Sequence, residues 1–312
     1  MRQKVMFIIG CTGSGKGSVA RELAGRIGGE IISIDSMKVY RRMDIGTGKP
    51  APELRRAIPH HLLDVVEPSE EFSVARYVEL ADQAIADIHQ RGKAILIVGG
   101  TPLYIKALSE GLFEGPGADP AVRARLMETA QTQGREVLYA RLQSVDPKTA
   151  DRIHINDLRR IVRALEVYEL TGQPISALQT QWDEKPGRFD SVFFGLRHAK
   201  EDQSRRINER VRRMIDAGLV DEVAALLAEI KPIGETARRA LGYAEIIEHL
   251  KGRCTLADAT EMIKINTRRF AKSQRTWFRR FSEVEWTDVA PDTTTGDLVD
   301  EIMGRKGSWW SA

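Results

Sequence analysis

The stretch GCTGSGKGSVA, residues 10–20, sets glycines and a lysine at the spacing G-x-x-x-x-G-K. In such a loop at a helix start, backbone N–H groups converge on an anion, and the helix dipole and the lysine add positive charge. Gly10, Cys11, Thr12, Gly13, Ser14, Gly15, Lys16 and Gly17 are therefore predicted to bind phosphate groups. The complete motif places Ser or Thr after the lysine, where its hydroxyl reaches a Mg²⁺ ion. Here that position is Gly17, which weakens a metal-nucleotide reading. Ser18 is a poor replacement, because one residue along a helix turns a side chain by about 100°.

Two more clusters carry chemistry. Asp35 opens DSMKVYRRMDIGTGKP, residues 35–50, at the end of the apolar run EIISID. A carboxylate beside a phosphate loop can hold Mg²⁺ through water or act as a general base. Asp35 or Ser36 can equally cap a helix. In RRFAKSQRTWFRR, residues 268–280, Arg268, Lys272, Arg275 and Arg279 share a narrow helical arc. Phe270 and Trp277, with Phe281 just beyond, lie opposite and are predicted to pack inward. The stripe is either a solvated face or a grip on nucleic-acid phosphate; clusters at Arg206, Arg210 and Arg213 and at Arg159, Arg160 and Arg163 favour the second. His60 and His61 have no third histidine or cysteine at ligand spacing, so no zinc site is expected.

These residues need a scaffold. KVMFIIG, EIISID and KAILIVGG read as buried strands, and SVARELAGRI as a crossover helix with Val19, Leu23 and Ile27 on one face. The expected fold is α/β, a P-loop NTPase-like parallel sheet core whose ligands gather at the carboxyl ends of its strands, where Asp35 and Thr101 stand. From about Gly115 to Arg188 only helical patterns occur, and SVFFGL at 191–196 then resumes the strand pattern. An all-helical insertion, 115–188, is predicted within a discontinuous core of 1–114 and 189–290. EVEWTDV reads as a possible last strand, and residues 291–312 are expected to form a tail with Trp309 and Trp310 mobile.

Composition agrees with a soluble globular protein: 312 residues, 42% hydrophobic and 29% charged, enough to bury a core. The first apolar run ends in the glycine loop and reads as a strand rather than a leader, and no run approaches the roughly 20 residues that cross a bilayer. Cys11 and Cys254 alone imply no disulfide framework, so a reducing cytoplasm is expected. A net charge of +3 favours polyanions weakly, so the location of the charge matters more.

In order along the chain, GCTGSGKG, IISIDSMKVYRRMDIGTGKP, PHHLLDVVEPSEEFSVARY, ILIVGGTPLYIKALSEGL, ADPAVRARL, VDPKTADRIHINDLRRIVRALEVYELTG, RINERV and RRALGYAEI resemble the blocks of tRNA dimethylallyltransferases. The resemblance runs from Lys4 to Trp286. It implies transfer of an isopentenyl group from dimethylallyl diphosphate to N6 of the adenosine following the anticodon, with Mg²⁺ as cofactor. It further implies that Asp35 is the base, that Thr12 to Gly17 hold the diphosphate, and that Lys16 and Arg210 assist, Arg210 from the opposite side. Asp35, Ser36, Met37, Lys38, Thr101, Arg123, Arg159, Arg160, Ile161, Val162, Arg163, Arg239, Ala240, Leu241, Gly242, Tyr243 and Ala244 match positions that contact tRNA. The insertion resembles the family's anticodon-stem domain, so the implied partners are the tRNA anticodon stem-loop and dimethylallyl diphosphate; no membrane partner is expected, and the protein is expected to be a monomer.

Three positions depart from the family pattern: Cys11 for proline, Lys38 for glutamine and Gly17 for Ser or Thr. The first bears on loop stiffness, the second on base reading and the third on metal coordination. An adenylate prenyltransferase would share the loop and the acid without needing the insertion. A P-loop kinase would want the missing hydroxyl and a second acidic strand end, and a tRNA-binding module without catalysis would need no diphosphate cradle.

Overall fold

The computed structural model describes residues 2–112, 115–179, 187–305 and 309. Six parallel strands form one sheet in the order β3-β2-β4-β1-β5-β6. They are β1 (Lys4–Gly10), β2 (Glu30–Ile34), β3 (His60–His61), β4 (Ile95–Gly99), β5 (Asp190–Arg197) and β6 (Val284–Asp288). The expected α/β core with a parallel sheet is what the chain forms. The central strand β1 reads as a continuous apolar run because both its faces are covered. Its side chains alternate between them: Val5, Phe7 and Ile9 enter one core, and Met6 and Ile8 the other.

Helices α1 (Lys16–Ile27), α2 (Pro52–Ala57), α3 (Val74–Gln90) and α4 (Pro102–Glu110) connect the first strands. α1 begins after Gly15 and stops at Gly28, both in the left-handed region at φ 86° and 64°. After β5 come α10 (Lys200–Asp216), α11 (Leu219–Leu227), α12 (Glu235–Arg238), α13 (Tyr243–Leu250) and α14 (Leu256–Phe278). α14 is started by a reciprocal Thr255–Asp258 capping box.

Residues 110–187 make a separate compact unit. Its described part holds α5 (Pro120–Thr132), α6 (Arg135–Val145), α7 (Pro147–Ala150), α8 (Leu158–Thr171) and α9 (Ile175–Leu178) around Leu126, Leu138, Leu142, Ile161 and Leu165. Asp157 caps the start of α8 and left-handed Gly172 ends it.

The expected free tail needs correction. Thr295–Arg305 form α15, which packs Leu298, Val299 and Ile302 into the second core against α1 and the sheet. α1 alone leaves part of that sheet face open, and an amphipathic last helix closes it. Trp309 packs on the same core; Lys4 Nζ donates to its carbonyl at 3.1 Å and stands 5.7 Å from its ring. Trp310 lies outside the described residues.

Candidate active site

Side chains take up the carbonyls of the glycine loop. Lys16 Nζ donates to Cys11 O at 3.1 Å, Arg206 Nε to Gly13 O at 2.9 Å, and Gln203 Nε2 to Thr12 O. His198 Nε2 lies 2.9 Å from Ser14 O. Gly13 and Gly15, at φ 78° and 86°, wrap the loop around a concavity at the start of α1, with the Ser14 N–H donated to Cys11 O at 3.2 Å. The N–H groups of Lys16 and Gly17, in the first turn of α1, have no acceptor within the helix. Thr12 N–H donates to Gln274 Oε1 at 2.9 Å, and Gln274 Nε2 donates to Gly100 O, so one buried amide on α14 ties the loop to the end of β4.

This concavity opens into a cavity of about 580 Å³. Its lining contains six cationic residues, Lys16, Arg21, Lys38, Lys49, Arg210 and Arg239, and a single carboxylate, Asp35. Met37, Leu54, Val98, Met214, Leu241 and Phe270 add apolar wall. Such a lining suits a ligand with a polyanionic end and a small apolar group.

Asp35 follows the last residue of β2, as parallel-sheet geometry requires of a ligand-facing acid. Its Oδ1 accepts from the N–H groups of Met37 at 2.8 Å and Lys38 at 3.2 Å, which fixes the carboxylate and leaves Oδ2 to the cavity. Capping a turn and facing a ligand are thus combined in one side chain. Thr101 Oγ1 accepts from Ser36 N–H at 3.3 Å and steadies the same turn.

Crowded positive charge shapes the titration of the site. Burial, with Lys38 and Arg210 beside it, lowers Lys16 to about 8. Burial also lowers Lys38 to about 8, with Arg210, Arg21 and Lys49 adding to the effect and Asp35 opposing it. Arg210 is lowered by burial as well; its Nη2 donates to Thr47 O at 3.0 Å and its Nη1 to Thr12 Oγ1 at 3.4 Å. Its bonds go to neutral oxygens, so the charge remains available to an anion.

The structure brings together on one cavity Thr12 to Gly17, Asp35 to Lys38, Thr101, Arg210 and Arg239 to Leu241. Gly10 and Cys11 lie behind the loop, and the Cys11 thiol faces Ala271 O at 3.5 Å. Gly242, Tyr243 and Ala244 lie at the start of α13; Tyr243 is fully buried and donates its hydroxyl proton to Glu222. In the helical unit, Ile161 and Val162 belong to the core, so their side chains do not present a surface to tRNA. Arg123 and Arg163 both bond the fully buried Glu166, while Arg159 and Arg160 are exposed.

The inward packing expected of the aromatics on α14 holds for Phe281 and partly for Trp277, but Phe270 is 43% exposed and lines the cavity. Phe278 takes the buried place, following Ala271 and Gln274 along the inward face. Sequence reasoning did not identify Arg21, Lys49, Gln203 or Gln274. The signal available for Gln274 was a polar residue on an otherwise apolar helix face, since a buried amide has to be hydrogen-bonded.

With this geometry in place, the family model for IPP transferases matches residues 38–281. The chain belongs to the IPP transferase family. A tRNA dimethylallyltransferase of Geobacter metallireducens is 48% identical over 303 residues, covering 97% of each chain. A crystal structure of the full-length tRNA isopentenylpyrophosphate transferase of Bacillus halodurans is 38% identical, with TM-score 0.70 and 98% of each chain covered. A eukaryotic dimethylallyltransferase, captured acting on tRNA, superposes with TM-score 0.83 at 29% identity, covering 99% of this chain and 80% of that one. This IPP transferase is accordingly an enzyme, a prenyltransferase, whose own chain folds as an α/β core and a separate helical unit. No helix among the described residues is long and apolar enough to cross a membrane.

Proposed function

We propose that this enzyme transfers a dimethylallyl group from dimethylallyl diphosphate to N6 of the adenosine 3′-adjacent to the anticodon in tRNA. The observation that carries this reading is the cavity that sets Lys16, Arg21, Lys38 and Arg210 against the single lining carboxylate Asp35 beside an apolar wall, while Lys49 pairs with Asp44 and Asp64 and Arg239 with Glu235. The lone pair on N6 bonds to C1 of the allyl group as the C1–O bond breaks. The bonding pair leaves on the diphosphate, and the N6 proton passes to Asp35 Oδ2. Negative charge builds on the leaving group, a charge that the loop amides, Lys16 and Arg210 of the cavity lining are suited to stabilise. The adenine amine is a weak nucleophile, and a fixed carboxylate taking its proton contributes roughly 10² to 10⁴ in rate. The base has to leave its stack, which costs less in a single-stranded loop than in a duplex.

Mg²⁺ would neutralise part of the diphosphate charge. Among the described residues no three His, Cys, Asp or Glu converge, and the cavity lining offers one carboxylate. The residues therefore fit Mg²⁺ carried on the diphosphate's own oxygens with Asp35 as the sole carboxylate in reach, and not an ion caged by the protein. The enzyme is taken to act as a monomer in the cytoplasm, where its tRNA substrate is found.

Labelled dimethylallyl diphosphate offered with tRNA or with AMP separates this function from adenylate prenylation. Label is expected in tRNA alone, and label in AMP alone would refute the reading. Asp35→Asn is expected to lower kcat by about 10² or more with tRNA affinity unchanged. Near-normal turnover would remove Asp35 from the role of base.

A further inference from the structure

Gly17 leaves the phosphate loop without the hydroxyl that usually holds a metal ion, and its surroundings show what stands there instead. Ser14 Oγ is buried against Gly10, where an added Cβ would come within 2.8 Å of it. Ser18 Oγ accepts from Arg21 Nη2 at 3.2 Å. Ser18 Oγ is thus engaged by Arg21, while Ser14 Oγ makes no hydrogen bond and is walled in against Gly10.

Arg21 lies one turn along α1 from Gly17, on the same face, and long helical side chains lean back toward the N-terminus. A Cβ added at Gly17 would sit 3.3 Å from Arg21 Nη1. The guanidinium thus stands directly over the missing side chain and lines the cavity. Burial lowers it, and among the described residues no carboxylate pairs with it. A half-buried guanidinium among other cations, without a carboxylate, is a poor arrangement for stability and a good one for meeting an anion.

We infer that Arg21 takes the place beside the diphosphate that a hydroxyl-held Mg²⁺ ion takes in complete phosphate loops, and binds the diphosphate oxygens through its guanidinium. Glycine at position 17 is then the condition for Arg21 to reach the site, since any side chain there competes with the guanidinium for the same space. The inference rests on the diphosphate reading above. It adds that diphosphate binding depends only weakly on Mg²⁺ in this chain.

The test is calorimetry of the intact protein with inorganic diphosphate, in EDTA and with excess Mg²⁺. The native protein is expected to bind in EDTA within about fivefold of its affinity with Mg²⁺. Arg21→Gln is expected to weaken binding in EDTA by about ten- to hundredfold, the effect of removing one charged hydrogen-bonding partner, and Arg21→Lys by less. The circular dichroism spectrum and thermal unfolding midpoint of Arg21→Gln check that the variant is folded. Gly17→Thr, with Arg21 intact, is expected to weaken binding in EDTA and to recover it with Mg²⁺. Equal binding by Arg21→Gln and the native protein in EDTA would overturn the inference, as would native binding that vanishes without Mg²⁺. A native protein that binds no diphosphate under either condition would instead refute the diphosphate cradle itself, and the role of Arg21 with it.

Discussion

Lys16 and Lys38 show how one residue's charge depends on its neighbours. Both are lowered to about 8 from the usual lysine range, first by burial and then by surrounding cations. Below that pH both are charged and anion affinity is complete; as pH rises through it each loses a proton. Diphosphate affinity is then expected to fall by up to about tenfold per pH unit for each lysine, and binding near pH 8 should take up protons. Calorimetry in buffers of different ionisation heat measures that uptake, and an affinity flat from about pH 7 to 10 would contradict it. Stability has its own sign. Between about 8 and 10.5 the unfolded chain holds protons that the folded lysines have lost, so these two groups make the free protein more stable as pH rises through that window.

The segment that presents Thr47 to Arg210 is held by elements far away in sequence. Glu222, in the first turn of α11, accepts from the N–H groups of Asp44 at 3.0 Å, Ile45 at 2.8 Å and Gly46 at 3.3 Å, and from the Tyr243 hydroxyl. A Cβ at Gly46 would fall 2.4 Å from the Tyr243 ring, and one at Gly48 2.5 Å from Arg210 Nη2. The two glycines therefore set how closely the segment lies on Tyr243 and Arg210. Glu222→Ala strands three backbone donors and is expected to cost about 1–3 kcal/mol, read from urea denaturation. It should also raise KM for dimethylallyl diphosphate more than it lowers kcat. A KM equal to the native value would show that the segment does not hold Arg210. Gly48→Ala, strained at φ 64° and close to the guanidinium, should move KM in the same direction.

For the molecule as a whole, the proposed function assigns phosphate chemistry and backbone grip to different parts of the chain. The cavity is lined entirely by residues 12–101 and 210–274 of the core unit. In the helical unit, Arg159 and Arg160 project from the start of α8 into solvent. Arg160 pairs with its neighbour Asp157 at 3.3 Å, which is a weak surface pair. Replacing both arginines with Ala is expected to reduce the log–log salt slope of tRNA binding by about 2 at most. Inorganic diphosphate affinity should not change. An unaltered slope would make these arginines a plain solvated face.

The sequence by itself determined the class of fold, the phosphate loop and the strand-end acid, because these follow from local rules. A short apolar run rich in β-branched residues and ended by glycine favours a buried strand over a helix, and a glycine loop entering a helix leaves first-turn amides without helical acceptors. The resemblance of eight ordered blocks carried the enzyme class. Tertiary structure decided what no local rule reaches. It sent Phe270 to the cavity and Phe278 to the core on one helix, since the facing partners, not the spacing, choose which aromatics are covered. The same contacts turned residues 295–305 from an expected tail into the helix that closes a sheet face. They also placed Gln274 between the phosphate loop and Gly100, and Arg21 over the bare Cα of Gly17. The first pairing spans 262 residues and the second needs the guanidinium to be held by its surroundings, so neither could be read from residue types in order.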